Sequence, residues 1–418
     1  MAWSTTASPA RAHAPLPRQV LVTPDAAAIA LDLPGFGLLL RARANQPFVY
    51  ACSALLELVP NGDPPSLAFA ADGSLLVGTQ DGLLTVSPQG CPLESDDNEL
   101  RHVPVRLLAL QSVAEGAGMQ VGYALTGGEA PALWRSDDGG RHWTWRSELV
   151  GSSAFTALVM RSDRPDQLYL SSADVVYASE DGGASLQTFS QEGALTLLHA
   201  EDGGSSRLWA IARDAQSLGN RGFAILRAEA ATGPWLTMLR VNYFGGFAVD
   251  PQRTIWVGDE IGGVYRSLDG GETFSNLASE ADVACLAPGG SALWTCNPGT
   301  PQEPVLQLLE DGASDLHGVV TLAEVDQLVS CPGLDVARTC AGAWAEWQRD
   351  VLMRPVESPT MVSASDAGES SELHPRGSSG GCAVGPHSSG CSAAMHGLLI
   401  ALALCARSSR RARVAREP

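Results

Sequence analysis

The chain has 418 residues, with 46 acidic against 27 basic side chains and a formal net charge of −19. That balance opposes a sequence-independent hold on phosphate, which is built from Lys and Arg replacing counterions, so nucleic acid is excluded as an expected partner. All the basic residues are Arg, which reads as GC-rich coding rather than as a sign of activity.

Residues 1–18 are expected to be the remnant of a signal peptide or a disordered N-terminus. Ala12-His13-Ala14 has the small-x-small spacing that signal peptidase cuts, yet no basic stretch and apolar core precede it. The true start would then lie upstream of Met1.

From residue 19 to 350 the sequence is organised by a repeat. Ser136-Asp137-Asp138-Gly139-Gly140-Arg141-His142-Trp143, Ser179-Glu180-Asp181-Gly182-Gly183-Ala184-Ser185-Leu186 and Ser267-Leu268-Asp269-Gly270-Gly271-Glu272-Thr273-Phe274 share the pattern S-x-D-G-G-x-x-(apolar). Their serines stand 43 and 88 residues apart, so the second interval holds two units, and a worn copy lies at Ala228 to Trp235. Another worn copy follows at Leu309 to Leu316. Trp134, Tyr177 and Tyr265 each stand two positions ahead of the motif serine, which implies one recurring environment.

A unit of roughly 43 residues is the size of one four-stranded propeller blade. Phe247 to Val249, Ile255 to Val257 and Gly263 to Arg266 read as three short strands, and the motif turns the chain into a fourth. Leu67 to Ser87 repeats the plan, cut by hairpin turns at Asp72-Gly73 and Asp81-Gly82. Units beginning near residues 20, 66, 105, 154, 194, 246 and 282 predict an all-β propeller of seven four-stranded blades, with six or eight left open. Val319 to Leu328 is the candidate for a strand that closes the ring by joining an N-terminal strand in one blade.

Within this region six cysteines form sequence-local pairs, Cys52 with Cys91, Cys285 with Cys296, and Cys331 with Cys340. An even number in an exported chain points to disulfides. Neighbours are preferred because short loops close cheaply, although six cysteines allow about 15 pairings.

Residues 351–390 turn to Ser, Gly, Pro and Glu, a linker with too little apolar surface to fold. Residues 391–418 then supply Gly390-Cys391-Ser392, an apolar run from Ala393 to Ala406 and an Arg cluster ending at Arg416. The run is expected to be a short hydrophobic helix, shorter than the roughly 20 residues of a comfortable span, with the Arg excess holding the extreme end in the cytoplasm. Cys405, inside the run, reads as a passive small apolar residue.

Two resemblances follow from these residues. The repeat resembles the Asp-box, or BNR, motif of sialidases, sortilin-type receptor domains, xyloglucan-cleaving enzymes and photosystem II assembly factors. The resemblance implies a structural role for Ser136, Asp138, Gly140, Trp143, Ser179, Asp181, Gly183, Ser267, Asp269, Gly271 and Phe274, away from the ligand funnel. The tail resembles the myxobacterial sorting domain MYXO-CTERM. It implies export to the surface of a Gram-negative, myxobacterial cell and processing at Cys391, with Cys382 as the alternative.

Chemistry is weakly signalled. The eight histidines show no metal-ligand spacing, no C-x-x-C occurs, and the acidic run Glu94 to Glu99 lacks the Gly and spacing of a calcium loop, so no metal and no cofactor is expected. Gly377-Ser378-Ser379-Gly380-Gly381 matches a nucleophile elbow in letters only, inside the linker. The Arg triad and Tyr–Glu nucleophile of a sialidase are not recognisable. The expected function is therefore a monomeric, non-catalytic surface propeller that binds a protein or glycan, with the membrane engaged through the tail. A glycoside hydrolase using funnel carboxylates, and a structural or assembly component of the envelope, stand as alternatives.

Overall fold

The computed structural model describes residues 15–353, apart from 60–63, 94–97, 113–119, 150–154, 204–205, 217–221, 311–312 and the single positions 129, 192, 215, 280 and 314. The export-signal remnant, the acidic run from Glu94, the linker and the tail with Cys382, Cys391 and Cys405 therefore lie wholly or largely outside the described residues.

Seven four-stranded antiparallel sheets follow one another along the chain, each built from four consecutive strands. Blade 1 runs from strand Gln19–Val22 to strand Val49–Cys52 and blade 2 from Ser66–Phe69 to Pro92–Leu93. Blade 3 spans Val105–Ser112 to Thr144–Glu148, and blade 4 spans Phe155–Met160 to Gln187–Ser190. Blades 5, 6 and 7 begin at Leu195–Ala200, Phe244–Val249 and Cys285–Gly289 and end at Leu236–Val241, Ser275–Asn276 and His317–Thr321. The chain is a seven-bladed β-propeller, and each blade opens within a few residues of a unit start read from the repeat.

Burial explains why these segments carry the residues they do. The second strands Gln120–Thr126, Leu168–Ser172 and Ile255–Asp259 are buried at every position, because blades stack face to face and leave them no wet side. They accordingly read as near-continuous apolar and small residues rather than as an alternating pattern. The outer strands Thr144–Glu148 and Gln187–Ser190 are mostly exposed and polar. Turn chemistry sets the hairpins: Gly73 at φ +82° and Gly82 at φ +147° occupy the two Asp-Gly turns of blade 2.

The segment Val319 to Leu328 does not enter blade 1 as a strand; only its end, at Leu328, bridges Tyr50 there. His317–Thr321 is the fourth strand of blade 7 itself, and blade 1 is complete without it. The chain instead leaves blade 7 through the short 3-10 turn Leu322–Glu324 and lies against the outer strand of blade 1. There the Tyr50 N–H donates to Gln327 O at 2.9 Å and the Val329 N–H donates to Tyr50 O at 3.0 Å. Helices α1 (Val336–Thr339) and α2 (Ala341–Asp350) complete this strap. Trp347 of α2 is fully buried, stacked on Tyr50 at 4.7 Å, and its indole N–H donates to Val325 O at 3.0 Å. Among the described residues no helix is long and apolar enough to cross a membrane.

The disulfides also depart from the neighbour rule. Cys285 pairs with Cys296 across adjacent strands of blade 7, but Cys52 pairs with Cys340 and Cys91 with Cys331, over 288 and 240 residues. Short-loop preference describes the unfolded chain. In a ring the first and last blades are neighbours, so the strap that leaves blade 7 runs over blade 1 to the 3–4 turn of blade 2 and brings these distant cysteines to Cα separations of 5.8 and 5.4 Å.

Candidate functional site: the mouth of the ring

Because the four strands of a blade alternate in direction, the turns joining strands 1–2 and 3–4 gather at one end of the ring. A cavity of about 1610 Å³ opens there, and every blade contributes to its wall, from Val22 in blade 1 round to Pro288 in blade 7. Much of the wall is aliphatic, and among the described residues Phe69 is its one aromatic ring other than the imidazole of His199. Asp25, Asp72, Glu201, Asp202 and Asp250 bring negative charge, and Arg43, Arg207 and Arg253 bring positive charge.

The carboxylates are committed to the turns that carry them. Asp25 Oδ1 accepts from Thr23 Oγ1 at 2.6 Å and from the Ala27 N–H at 3.0 Å, which holds its carboxyl below the usual range. Asp72 Oδ1 accepts from Ser74 Oγ at 2.5 Å and from the Ser74 N–H at 2.9 Å, with the same effect, and Oδ2 meets Arg141 at 3.3 Å. Asp250 accepts from the Thr254 N–H at 2.8 Å and from the Trp256 indole N–H at 3.1 Å. Glu201 accepts from the Trp209 indole N–H at 2.7 Å and pairs with Arg207.

Asp202 does more, since it reaches from blade 5 to the turn of blade 4. It accepts from the Ser162 N–H at 2.8 Å, from the Asp163 N–H at 3.3 Å and from Ser162 Oγ. Asp163 returns the contact by accepting from the Gly203 N–H at 2.8 Å while the buried Arg161 grips it with two N–H groups. Beside them His199 is pushed down to about 4 by burial, so its imidazole is neutral at neutral pH.

The S-x-D-G-G motifs form the 3–4 turns of blades 3, 4 and 6. In each, the serine hydroxyl donates to the aspartate at 2.8 Å and accepts at 2.8 Å from the N–H of the second glycine. The aspartate then accepts from the backbone four residues on, at 3.0 Å from His142, 2.9 Å from Ser185 and 2.9 Å from Thr273. At Asp138 burial pushes the carboxyl up, but the bonds from His142, Ser136 and Arg141 outweigh it and bring it to about 2. Asp181 and Asp269 come down to about 2 chiefly through the hydroxyls of Ser185 and Thr273.

Both glycines of each motif lie in the left-handed region, for example Gly270 at φ +71° and Gly271 at φ +87°. The second glycine presses on the preceding blade. A Cβ at Gly140 would strike Leu76, one at Gly183 Leu133, and one at Gly271 the ring of the fully buried Trp209. Trp143 is buried and donates to Gly140 O at 3.0 Å, Leu186 packs into the core shared by blades 3 and 4, and Phe274 packs into the core of blades 5 and 6. The worn copy in blade 5 lacks the serine and the glycine pair but keeps the reach, since the Trp235 indole donates to Gln191 of blade 4 at 2.7 Å. The copy at Leu309 to Leu316 is only partly within the described residues.

None of the motif serines, aspartates, second glycines or terminal apolar residues lines the cavity, but one copy touches its edge. Leu268 and Gly270 of the third copy line it, and Leu268 is 72% exposed at its rim. The turn carboxylates of the mouth were not singled out from the sequence as a site. Asp72-Gly73 and Asp250-Pro251 were legible as turns, and nothing in a single turn signal says that several converge on one opening. Among the described residues no cluster of three His, Cys, Asp or Glu side chains could hold a metal.

No family model matches the chain, and no curated protein matches it. Solved structures match it in fold. An ancestral GH74 enzyme is similar with a TM-score of 0.50 and 14% identity, over 73% of this chain and 46% of that one. A GH74 enzyme of Niastella koreensis gives 0.43 and 14%, over 69% and 42%, and the WD40 repeats of RRP9 give 0.45 and 14%, over 68% and 88%. The chain spans less than half the length of either GH74 enzyme. At such identities the likeness is one of fold alone.

Proposed function

We propose that this chain is an exported, non-catalytic binding propeller of the Asp-box kind, taking a protein or glycan ligand at the mouth described above. One observation carries the reading: the carboxylates of the mouth spend their oxygens on their own and neighbouring turns. A glycosidase of the two-carboxyl type needs one acid that stays protonated at working pH. Asp25 and Asp72 move the other way, and Asp202 and Asp250 are hydrogen-bonded into the scaffold. Among the described residues the lining offers Phe69 as its aromatic ring for stacking on a sugar. A rigid ring presenting turns from seven blades suits recognition.

Three disulfides among the described residues are consistent with export. The finer location, a cell surface reached through a MYXO-CTERM-like tail processed at Cys391 or Cys382, rests on the sequence of residues 391–418 and on the Gly381-Cys382 step before it. Cys391→Ala is expected to hold the protein in the inner-membrane fraction, and undiminished surface exposure would overturn that assignment. For the mouth, the purified full chain is to be tested against glycan and peptide arrays and a panel of chromogenic glycosides. The expected outcome is saturable binding without turnover, lost in the rim variants Gln89→Trp and Gln252→Trp at unchanged thermal stability. Turnover of any glycoside, or binding indifferent to both variants, would refute the reading.

A further inference from the structure

The strap from Leu322 to Met353 crosses the one seam of the ring where the first and last blades meet. No strand is shared there, because blades 1 and 7 are each complete. Among the described residues, side-chain packing and one backbone hydrogen bond join them directly. The Gly290 N–H donates to Pro24 O at 2.9 Å, and the Arg41 guanidinium lies between the rings of Phe48 and Trp294 at 5.3 and 5.2 Å. The strap adds the edge hydrogen bonds at Tyr50 and the buried Trp347, and then two covalent ties. Cys331 is bonded to Cys91 in the 3–4 turn of blade 2, and Cys340 to Cys52 at the end of blade 1.

The same strap touches the wall of the mouth. Val329 and Leu40 pack so closely on Gly90, which sits at φ +91°, that a Cβ there would strike both. Pro88 and Gln89, immediately before Gly90, line the cavity, as do Ala42 and Arg43 on the 3–4 turn of blade 1. We infer that the strap is a redox-conditional clasp that closes the ring and sets the blade 1–2 wall of the mouth only when both long disulfides are formed. Calling the cavity a ligand site rests on the proposed function, but the clasp itself does not.

The chemistry is ordinary thiol–disulfide exchange. In closing, two thiols lose two electrons and two protons to an external disulfide oxidant, which leaves as a dithiol. In opening, one external dithiol for each bond delivers two electrons and two protons, giving Cys52, Cys340, Cys91 and Cys331 as thiols, and each dithiol is itself oxidised to a disulfide. Without the ties, the strap keeps its edge hydrogen bonds at Tyr50 and the buried packing of Leu322, Val325, Val329, Val336, Trp347 and Val351, but it loses its covalent hold on blades 1 and 2, so it can open locally while the ring stays closed.

The test compares the full chain, oxidised and after complete reduction by a dithiol, with no ligand present. Amide exchange is followed at Gly90 and Cys91, bonded to Ser87, and at Gln46, bonded to Arg43. Trypsin cleavage is followed at Arg338 and Arg349 of the strap. Reduction is expected to speed both at least tenfold while the Gly271 amide of the blade 6 motif stays protected. The double variant Cys331→Ala, Cys340→Ala should behave as reduced under oxidising conditions, and Cys285→Ala, Cys296→Ala as oxidised. Equal protection before and after reduction would overturn the clasp, as would simultaneous loss of protection at Gly271, which would mean unfolding of the whole ring. Failure to find any ligand would leave these rates unaltered and so would count against the function alone.

Discussion

The motif glycines allow a paired test of what joins one blade to the next. Gly270 and Gly271 are adjacent, both left-handed, and differ in surroundings. At Gly270 a Cβ would meet nothing nearer than Arg207 Nη1 at 3.7 Å, whereas at Gly271 it would enter the indole of Trp209 in blade 5. Gly270→Ala should therefore cost only the left-handed backbone penalty, about 1 kcal/mol. Gly271→Ala should add overpacking of about 2 kcal/mol, for a total of roughly 3 kcal/mol. The two costs are read as shifts in urea midpoint at unchanged slope, with the oxidised protein throughout. Gly139→Ala against Gly140→Ala gives a narrower comparison in blade 3, since a Cβ at Gly139 already meets Gln120 Oε1 at 3.2 Å and Leu76 replaces the indole at Gly140. Equal losses for the two members of a pair, within about 0.5 kcal/mol, would show that the second glycine serves the turn alone and would refute the interblade reasoning.

Acid should loosen the motif turns in a defined window. Asp138, Asp181 and Asp269 have folded values of about 2 against an ordinary 3.8, so the stability they contribute is complete above about pH 4 and is lost as pH falls through about 2. Thermal melts of the wild type should thus drop steeply across that window, and Asp138→Asn should be less stable at pH 7 with a shallower acid decline; parallel profiles would contradict the assignment. At the seam, Arg41→Lys keeps the charge but loses the planar face between Phe48 and Trp294 and weakens the bond to Ala26 O, now 3.1 Å. A loss of roughly 1–2 kcal/mol is expected in the same urea assay, and none would mean that the stacking contributes nothing.

How much of this was legible in the chain follows from which features are local. Ser136, Asp138 and Gly140 complete their hydrogen bonds within a few residues, so the turn repeats as a spelling and the blades can be counted from it. Trp235 shows the limit: its indole reaches Gln191 in another blade, and that job survives after the local spelling has worn away. Cys52 and Cys340 lie further still from legibility, because nothing within a few residues of either says that blade 7 returns to blade 1. The strap was misread for the same reason. His317–Thr321 has the look of a strand, and only the closed ring decides that it completes its own blade while the edge of blade 1 is covered from Gln327 onward. The mouth is the extreme case. Asp72 and Asp250 are each ordinary turn residues in sequence, and Asp202 is tied by Ser162, some 40 residues away. Seven-fold closure is what brings such turns together, so a propeller can spell out its scaffold in every repeat while the mouth of the ring is written in no single one.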